Sequence, residues 1–137
     1  MNLLFNSIFK YGYHDSVLSC IEIQSESVIL IFEDGVWNLD NDGNEISKTR
    51  SVQLKINLNM MYMSTPLDAF EIYMIGKTSK YCDIENLIGK KISFNISNVF
   101  FSNFNNTLLI DCDDGKVQYF IQICNCNGIE INESVNV

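Results

Sequence analysis

Apolar and polar residues alternate along most of the chain. Val52, Leu54, Ile56 and Leu58 interleave with Gln53, Lys55 and Asn57, and Ile92, Phe94 and Ile96 with Ser93, Asn95 and Ser97. A period of two sends each residue type to one face of a β-strand, so both segments predict strands with one wet face. Residues 17–24 and 27–33 predict two more strands with a short polar connection between them. The second carries the unbroken apolar run Val28–Phe32, which suits a central strand buried on both faces. Residues 67–75 alternate around Phe70, Ile72 and Met74, and further strands are predicted over 107–112, 116–124 and 129–132, with a fraying tail from Glu133.

Three Asp-Gly dipeptides punctuate these strands, at Asp34-Gly35, Asp42-Gly43 and Asp114-Gly115. Asp-Gly beside apolar runs is a strong hairpin signal, because a type I′ turn needs positive φ at both central residues. Taken as two-residue turns, they pair Phe32 with Trp37 and Glu33 with Val36 in one hairpin. In the other they pair Cys112 with Val117 and Asp113 with Lys116. Helix is scarce: residues 83–89 predict one short helix with Asp83 as N-cap and Gly89 past its end. Residues 2–10 fit either a short helix or an edge strand. Residues 27–35 and 107–115 echo each other, as duplicated units or as any two hairpins would. The expected fold is mainly β: one domain over 1–137, an antiparallel β-sandwich or partly open barrel of about eight to ten short strands with one short helix.

Composition narrows the function. With 137 residues, 47% apolar and 19% charged, the chain has the make-up of one folded domain. Its net charge of −8 opposes binding to nucleic-acid phosphates and to anionic membranes, so neither is an expected partner. No apolar run is long enough to span a bilayer, and the first ten residues lack a basic n-region and a cleavage site. Heavy use of Asn and Ile, with eight Lys to one Arg, reflects an AT-rich genome and lowers the functional weight of the asparagines. Cys20, Cys82, Cys112, Cys124 and Cys126 are odd in number and irregularly spaced. That is a poor disulfide framework, so reduced thiols in a cytoplasm are expected.

Few residues offer chemistry. His14-Asp15-Ser16 joins a histidine, a carboxylate and a hydroxyl, but neighbours in sequence cannot form a relay, and a turn before the first strand accounts for them. Cys124-Asn125-Cys126 could touch one metal ion, yet a structural zinc site wants four ligands, so no metal and no cofactor are expected. Residues 38–43 match the first half of an EF-hand loop, but Thr49 stands where the bidentate glutamate belongs. No catalytic residue is assigned. The candidate partner-binding site is the acidic stretch Glu33, Asp34, Asp40, Asp42 and Glu45, which has no basic residue before Lys48 and encloses Trp37, the one tryptophan. A solvated rim is the plain account of such a cluster. The functional account is an anionic patch that steers a basic protein, with Trp37 either an anchor or packed on Phe32.

His14-Asp15-Ser16, Ile21-Glu22-Ile23 and Phe32–Asp40 with Gly43 and Glu45 resemble a group of small uncharacterised bacterial proteins, mostly from Firmicutes. Some small acidic β-rich proteins of this kind resemble immunity proteins of polymorphic toxin systems. Leu87–Ile92, Asp114-Gly115 and Gly128–Ile131 resemble a pattern in small bacterial and phage proteins. The resemblance implies a bacterial, cytoplasmic, non-enzymatic β-protein, with no site residues to carry over. The expected function is therefore a non-catalytic acidic protein-binding module, an immunity-type inhibitor of a basic toxin. The alternatives are a small-ligand-binding or enzymatic β-barrel, and a subunit that pairs an edge strand in a homodimer.

Overall fold

The alternating segment Val52–Leu58 is a strand whose Val52, Leu54, Ile56 and Leu58 are all buried. The computed structural model describes residues 9–76 and 80–134. Among them, strands run in order as β1 (Tyr11–Gly12), β2 (Val17–Leu18), β3 (Cys20–Ile23), β4 (Ser27–Phe32), β5 (Trp37–Leu39), β6 (Glu45–Lys48) and β7 (Val52–Leu58). They continue as β8 (Phe70–Ile75), β9 (Lys80–Tyr81), β10 (Phe94–Ser102), β11 (Thr107–Asp113), β12 (Gln118–Ile123) and β13 (Cys126–Glu133). All pairings are antiparallel. They form a six-stranded sheet β2-β10-β11-β12-β8-β9, a four-stranded sheet β13-β7-β4-β3 and a three-stranded sheet β1-β5-β6. One sheet curls as a half-barrel, so the mainly β class holds.

The core is made where the inward residues of the two larger sheets meet. Leu18, Phe94, Ile96, Leu108, Ile110, Ile121 and Ile72 come from one, and Ile21, Val28, Leu30, Phe32, Leu54, Ile56 and Ile129 from the other. Strand β4 lies between β3 and β7, and even its alternate residue Ile29 is buried, as a central strand requires. One extended segment serves both layers. Leu18 pairs with Phe94 of β10, and two residues later Cys20 pairs with Ile31 of β4. Ser19 sits at the crossing: its N–H donates to Ile31 O at 2.7 Å and its Oγ accepts from Glu33 N at 3.1 Å. The outer edge of β3 is covered by the chain after residues 84–86, through Gly89 N to Ile21 O and Ile92 N to Ser19 O.

A β-bulge between Ile96 and Asn98 inverts the inward parity of β10. Before it Phe94 and Ile96 are buried; after it Val99 and Phe101 pack on the core, while Phe100 faces solvent.

Several local expectations differ from the structure, each for its own reason. Asp34-Gly35 does turn the chain, with Gly35 N donating to Phe32 O and Gly35 at φ +80°, but it does not close a hairpin. Phe32 pairs with Val52 and Trp37 with Lys48 and Gly12, so Phe32 and Trp37 are not partners. The chain leaves one sheet at that turn and enters another. Around Asp114-Gly115 the loop is four residues long: Asp113 pairs with Gln118 and Cys112 with Tyr119, not with Lys116 and Val117. Asp114 Oδ1 accepts from the N–H groups of both Lys116 and Val117, which holds those residues in the loop. The helix expected over 83–89 is a three-residue 3-10 turn, Ile84–Asn86, capped by Asp83 as anticipated, and Pro66–Ala69 and Phe104–Asn106 are 3-10 turns as well. Most of the N-terminal segment 2–10 lies outside the described residues.

Candidate functional site

The acidic residues lie on and beside the β5–β6 hairpin. Glu33, Asp34, Asp40, Asp42 and Glu45 are all exposed. They form two groups: Glu33 and Asp34 at the turn after β4, and Asp40, Asp42 and Glu45 at the hairpin tip. Five residues, 35–39, lie between the groups, three of them in β5. Asp40 builds the tip. Its Oδ1 accepts from Asn44 N and Asp42 N, each at 2.9 Å, and Gly43 N donates to its carbonyl. Those N–H bonds, that from Asn44 foremost, hold its carboxyl below the usual carboxylate range. Of the oxygens that an EF-hand would offer to calcium, those of Asp40 are engaged within the loop, by Asp42 N and by the backbone and side-chain amides of Asn44.

Trp37 is half-buried between Gly12 and Lys48, with the Lys48 Nζ 4.9 Å from the ring centroid, a cation–π contact. It is not paired across a hairpin with Phe32. The ring near Phe32 is that of Tyr13, at 6.0 Å between centroids. Trp37 Nε1, Tyr13 Oη and Ser16 Oγ are buried with no hydrogen-bond partner among the described residues. Groups of this kind are commonly met by ordered water. Beside the hairpin tip lies a depression of about 420 Å³ lined by Phe9, Lys10, Leu39, Asp40, Asn41 and Gly43.

The remaining candidates take part in the fold. His14 is exposed; its Nδ1–H donates to Ser97 O at 3.1 Å and its Nε2 lies 3.3 Å from Asp15 Oδ2. Asp15 is left-handed at φ 60°, and Ser16 N donates to Tyr13 O, so the triplet is a turn entering β2 with the Ser16 hydroxyl buried away from the ring. Cys112 and Cys126 are buried, and burial pushes each thiol up to about 12. Their Sγ atoms sit against the carbonyls of Tyr119 and Ile123. Cys20, Cys82 and Cys124 are half-buried, and no disulfide joins the five cysteines. Among the described residues, no three His, Cys, Asp or Glu gather in a way that could hold a metal ion.

A second surface lies away from the hairpin. Strand β7 runs from Val52, beside the acidic turn, to Leu58, about 20 Å further on. At that far end three loops are joined by backbone bonds from Asn59 N to Asn125 O and from Asn125 N to Asn105 O, each 2.8 Å. Asn105, Asn106 and Asn125 all hold positive φ there. Met61, Tyr62 and Phe104 project from this end, with Tyr62 94% exposed. The outer face of the six-stranded sheet also carries exposed aromatic residues, Phe100 and Phe120. Phe100 lies opposite Leu109, and Phe120 opposite Tyr73. Glu71, Tyr73, Leu109, Phe120 and Gln122 bound a cleft of about 210 Å³. Of the aromatic run Phe100, Phe101 and Phe104 that sequence marks, the bulge turns Phe101 inward and leaves the other two outside.

Comparison with protein-family models, with curated proteins and with solved structures finds no match to this chain. The class its fold defines is a mainly β protein of three antiparallel sheets, the smallest of which carries the acidic hairpin.

Proposed function

We propose that this chain is a non-catalytic acidic protein-binding module that captures a basic protein through its β5–β6 hairpin. A cytoplasmic immunity-type inhibitor, which covers a basic surface of a toxin, is the form of that function we favour. The observation that supports it is the exposure of all five carboxylates, three of them on a hairpin whose tip is pre-organised by Asp40 and two at the turn that leads into it. A pre-organised patch loses little conformational entropy on binding, and like charges on one protrusion steer an oppositely charged partner. The depression beside the tip gives such a partner a place to seat a side chain.

The test uses the product of a gene adjacent to that of this protein, with association followed by stopped-flow at low and high salt. Asp42→Lys with Glu45→Lys should slow association about tenfold or more at low salt, because rim charges act mainly on the on-rate. Asp40 is kept, since it holds the turn. The wild-type rate should also fall with salt, as the Debye length contracts from about 10 Å at 0.1 M to about 3 Å at 1 M. A rate that ignores both changes refutes capture by the hairpin, and no binding to any neighbouring gene product refutes the immunity form.

A small-ligand β-barrel has one observation in its favour. The 420 Å³ depression falls within the range of about 300–1,000 Å³ typical of ligand sites. A ligand whose bound-state contacts map to Phe9, Leu39 and Asn41 would establish that reading instead.

A further inference from the structure

The solvent face of an antiparallel sheet is ordinarily polar. Here the outer face of the six-stranded sheet carries Phe100, Leu109, Phe120 and Tyr73 at its centre, with Phe100 53% and Phe120 39% exposed. Register gives this face its chemistry. Asp111 lies opposite Phe120, Gln122 opposite both Leu109 and Glu71, and Asp113 opposite Gln118. The alternate residues of β10, β11, β12 and β8 on this side thus include Glu71, Asp111 and Asp113 but no lysine or arginine. The one ion pair among the described residues joins His14 to Asp15, so no described cation answers these carboxylates.

We propose that this face docks a protein segment that inserts an arginine side chain into the cleft bounded by Glu71, Tyr73, Leu109, Phe120 and Gln122. Size is the first argument. A volume of about 210 Å³ lies below the 300 Å³ or so at which small-molecule sites begin, and suits one long side chain. Chemistry is the second. The lining combines a carboxylate, an amide, two aromatic rings and a leucine. A guanidinium pairs bidentately with a carboxylate and lays its plane on an aromatic face, whereas a lysine ammonium meets both groups only as a point charge, without the planar fork or the stacked geometry. The aliphatic stem of arginine would lie on Leu109 and Phe120. Apolar neighbours of that arginine would meet Phe100, and an aromatic patch of this kind is where binding energy concentrates at protein interfaces. This inference uses none of the hairpin residues, and either reading can fail without the other.

The probe is the capped tripeptide acetyl-Leu-Arg-Leu-amide, titrated to several millimolar into the ¹⁵N-labelled full chain and followed by amide chemical shifts. The expected result is saturable shifts centred on Glu71, Tyr73, Leu109, Phe120 and Gln122. Glu71→Gln, an exposed and nearly isosteric change, should weaken binding about tenfold or more, the usual worth of a charge-assisted pair. Phe120→Ala should weaken it as well, with both variants retaining the wild-type spectrum elsewhere. The same peptide with citrulline, a neutral isostere, should lose the shifts. Equal shifts from the citrulline peptide, an unchanged affinity in Glu71→Gln, shifts gathered on the β5–β6 hairpin, or none at all would each overturn the proposal.

Discussion

Replacing Gly35 by alanine tests the turn that passes the chain from one sheet to the next. Gly35 stands at φ +80°, and an added Cβ would lie 2.5 Å from both the Arg50 carbonyl oxygen and Thr49 Oγ1, and nearer still to the Thr49 carbonyl oxygen. Two of these are backbone atoms that no rotamer change can move aside. The left-handed backbone alone costs an alanine about 1–2 kcal/mol. Forcing packed atoms apart adds about 1–3 kcal/mol. The atoms pushed also carry the bonds from Val36 N to Thr49 Oγ1 at 2.9 Å and from Thr49 N to Val36 O at 2.8 Å, each worth about 1 kcal/mol if lost. Gly35→Ala should therefore cost about 3–5 kcal/mol. Gly115→Ala is the matched control: φ is +90°, but nothing lies within 4 Å of its added Cβ, so only the backbone cost of about 1–2 kcal/mol applies. Urea denaturation of both variants should show Gly35→Ala the less stable by about 2 kcal/mol, roughly a 1 M gap in midpoint at an m-value near 2 kcal/mol/M. Equal midpoints would refute the claim that Gly35 is wedged against the Thr49–Arg50 backbone.

The thiols should divide by burial. Native protein at pH 8 should react with a disulfide reagent at Cys20, Cys82 and Cys124 well before Cys112 and Cys126, while all five react in urea. Because Cys112 and Cys126 are raised from 9.0 to about 12 on folding, the native state holds their protons more tightly. Their contribution is fully present below pH 9 and is lost as pH climbs toward 12, which denaturation midpoints across that range will register. The two loop carboxylates behave in the opposite sense. Asp40, held mainly by Asn44 N–H, and Asp114, held mainly by Val117 N–H, are lowered from 3.8, so the order they impose on their turns is kept above that value and fades as pH falls below it. An NMR titration should find both carboxyls titrating below 3.8, the ordinary aspartate value.

What could be read from the sequence was whatever local chemistry decides. The alternation at Val52–Leu58 depends on residues that touch the same two faces, and Asp83 caps its turn through the nearby Glu85 N–H. Exposure of the acidic cluster follows from its place in turns. Asp34-Gly35 marks the other side of that boundary. The same dipeptide serves a hairpin and a change of sheet, and the choice is made by Thr49, which accepts Val36 N from 13 residues away. Trp37 was misplaced for this reason, since its neighbours come from β1 and β6 rather than β4. The cleft around Phe120 draws its walls from β8, β11 and β12, and no window of sequence holds them together. The bulge at Ile96–Asn98 leaves no turn signal, so Phe100 and Phe101 exchange roles unannounced.

The extended segment shared by the two large sheets sets a timetable for synthesis. Its second half finds β4 within a few residues, because Ile23 pairs with Val28. Its first half must wait for β10, and the accompanying bond from His14 reaches Ser97, 83 residues further along the chain. At about 5–20 residues per second, a ribosome takes roughly 4–17 s to cover that interval. Throughout it Leu18, wholly buried in the finished protein, stays in water beside a nascent β-hairpin with unpaired edges. Emerging chains should therefore be most prone to aggregation, and most dependent on chaperones, in the seconds before Phe94 leaves the exit tunnel.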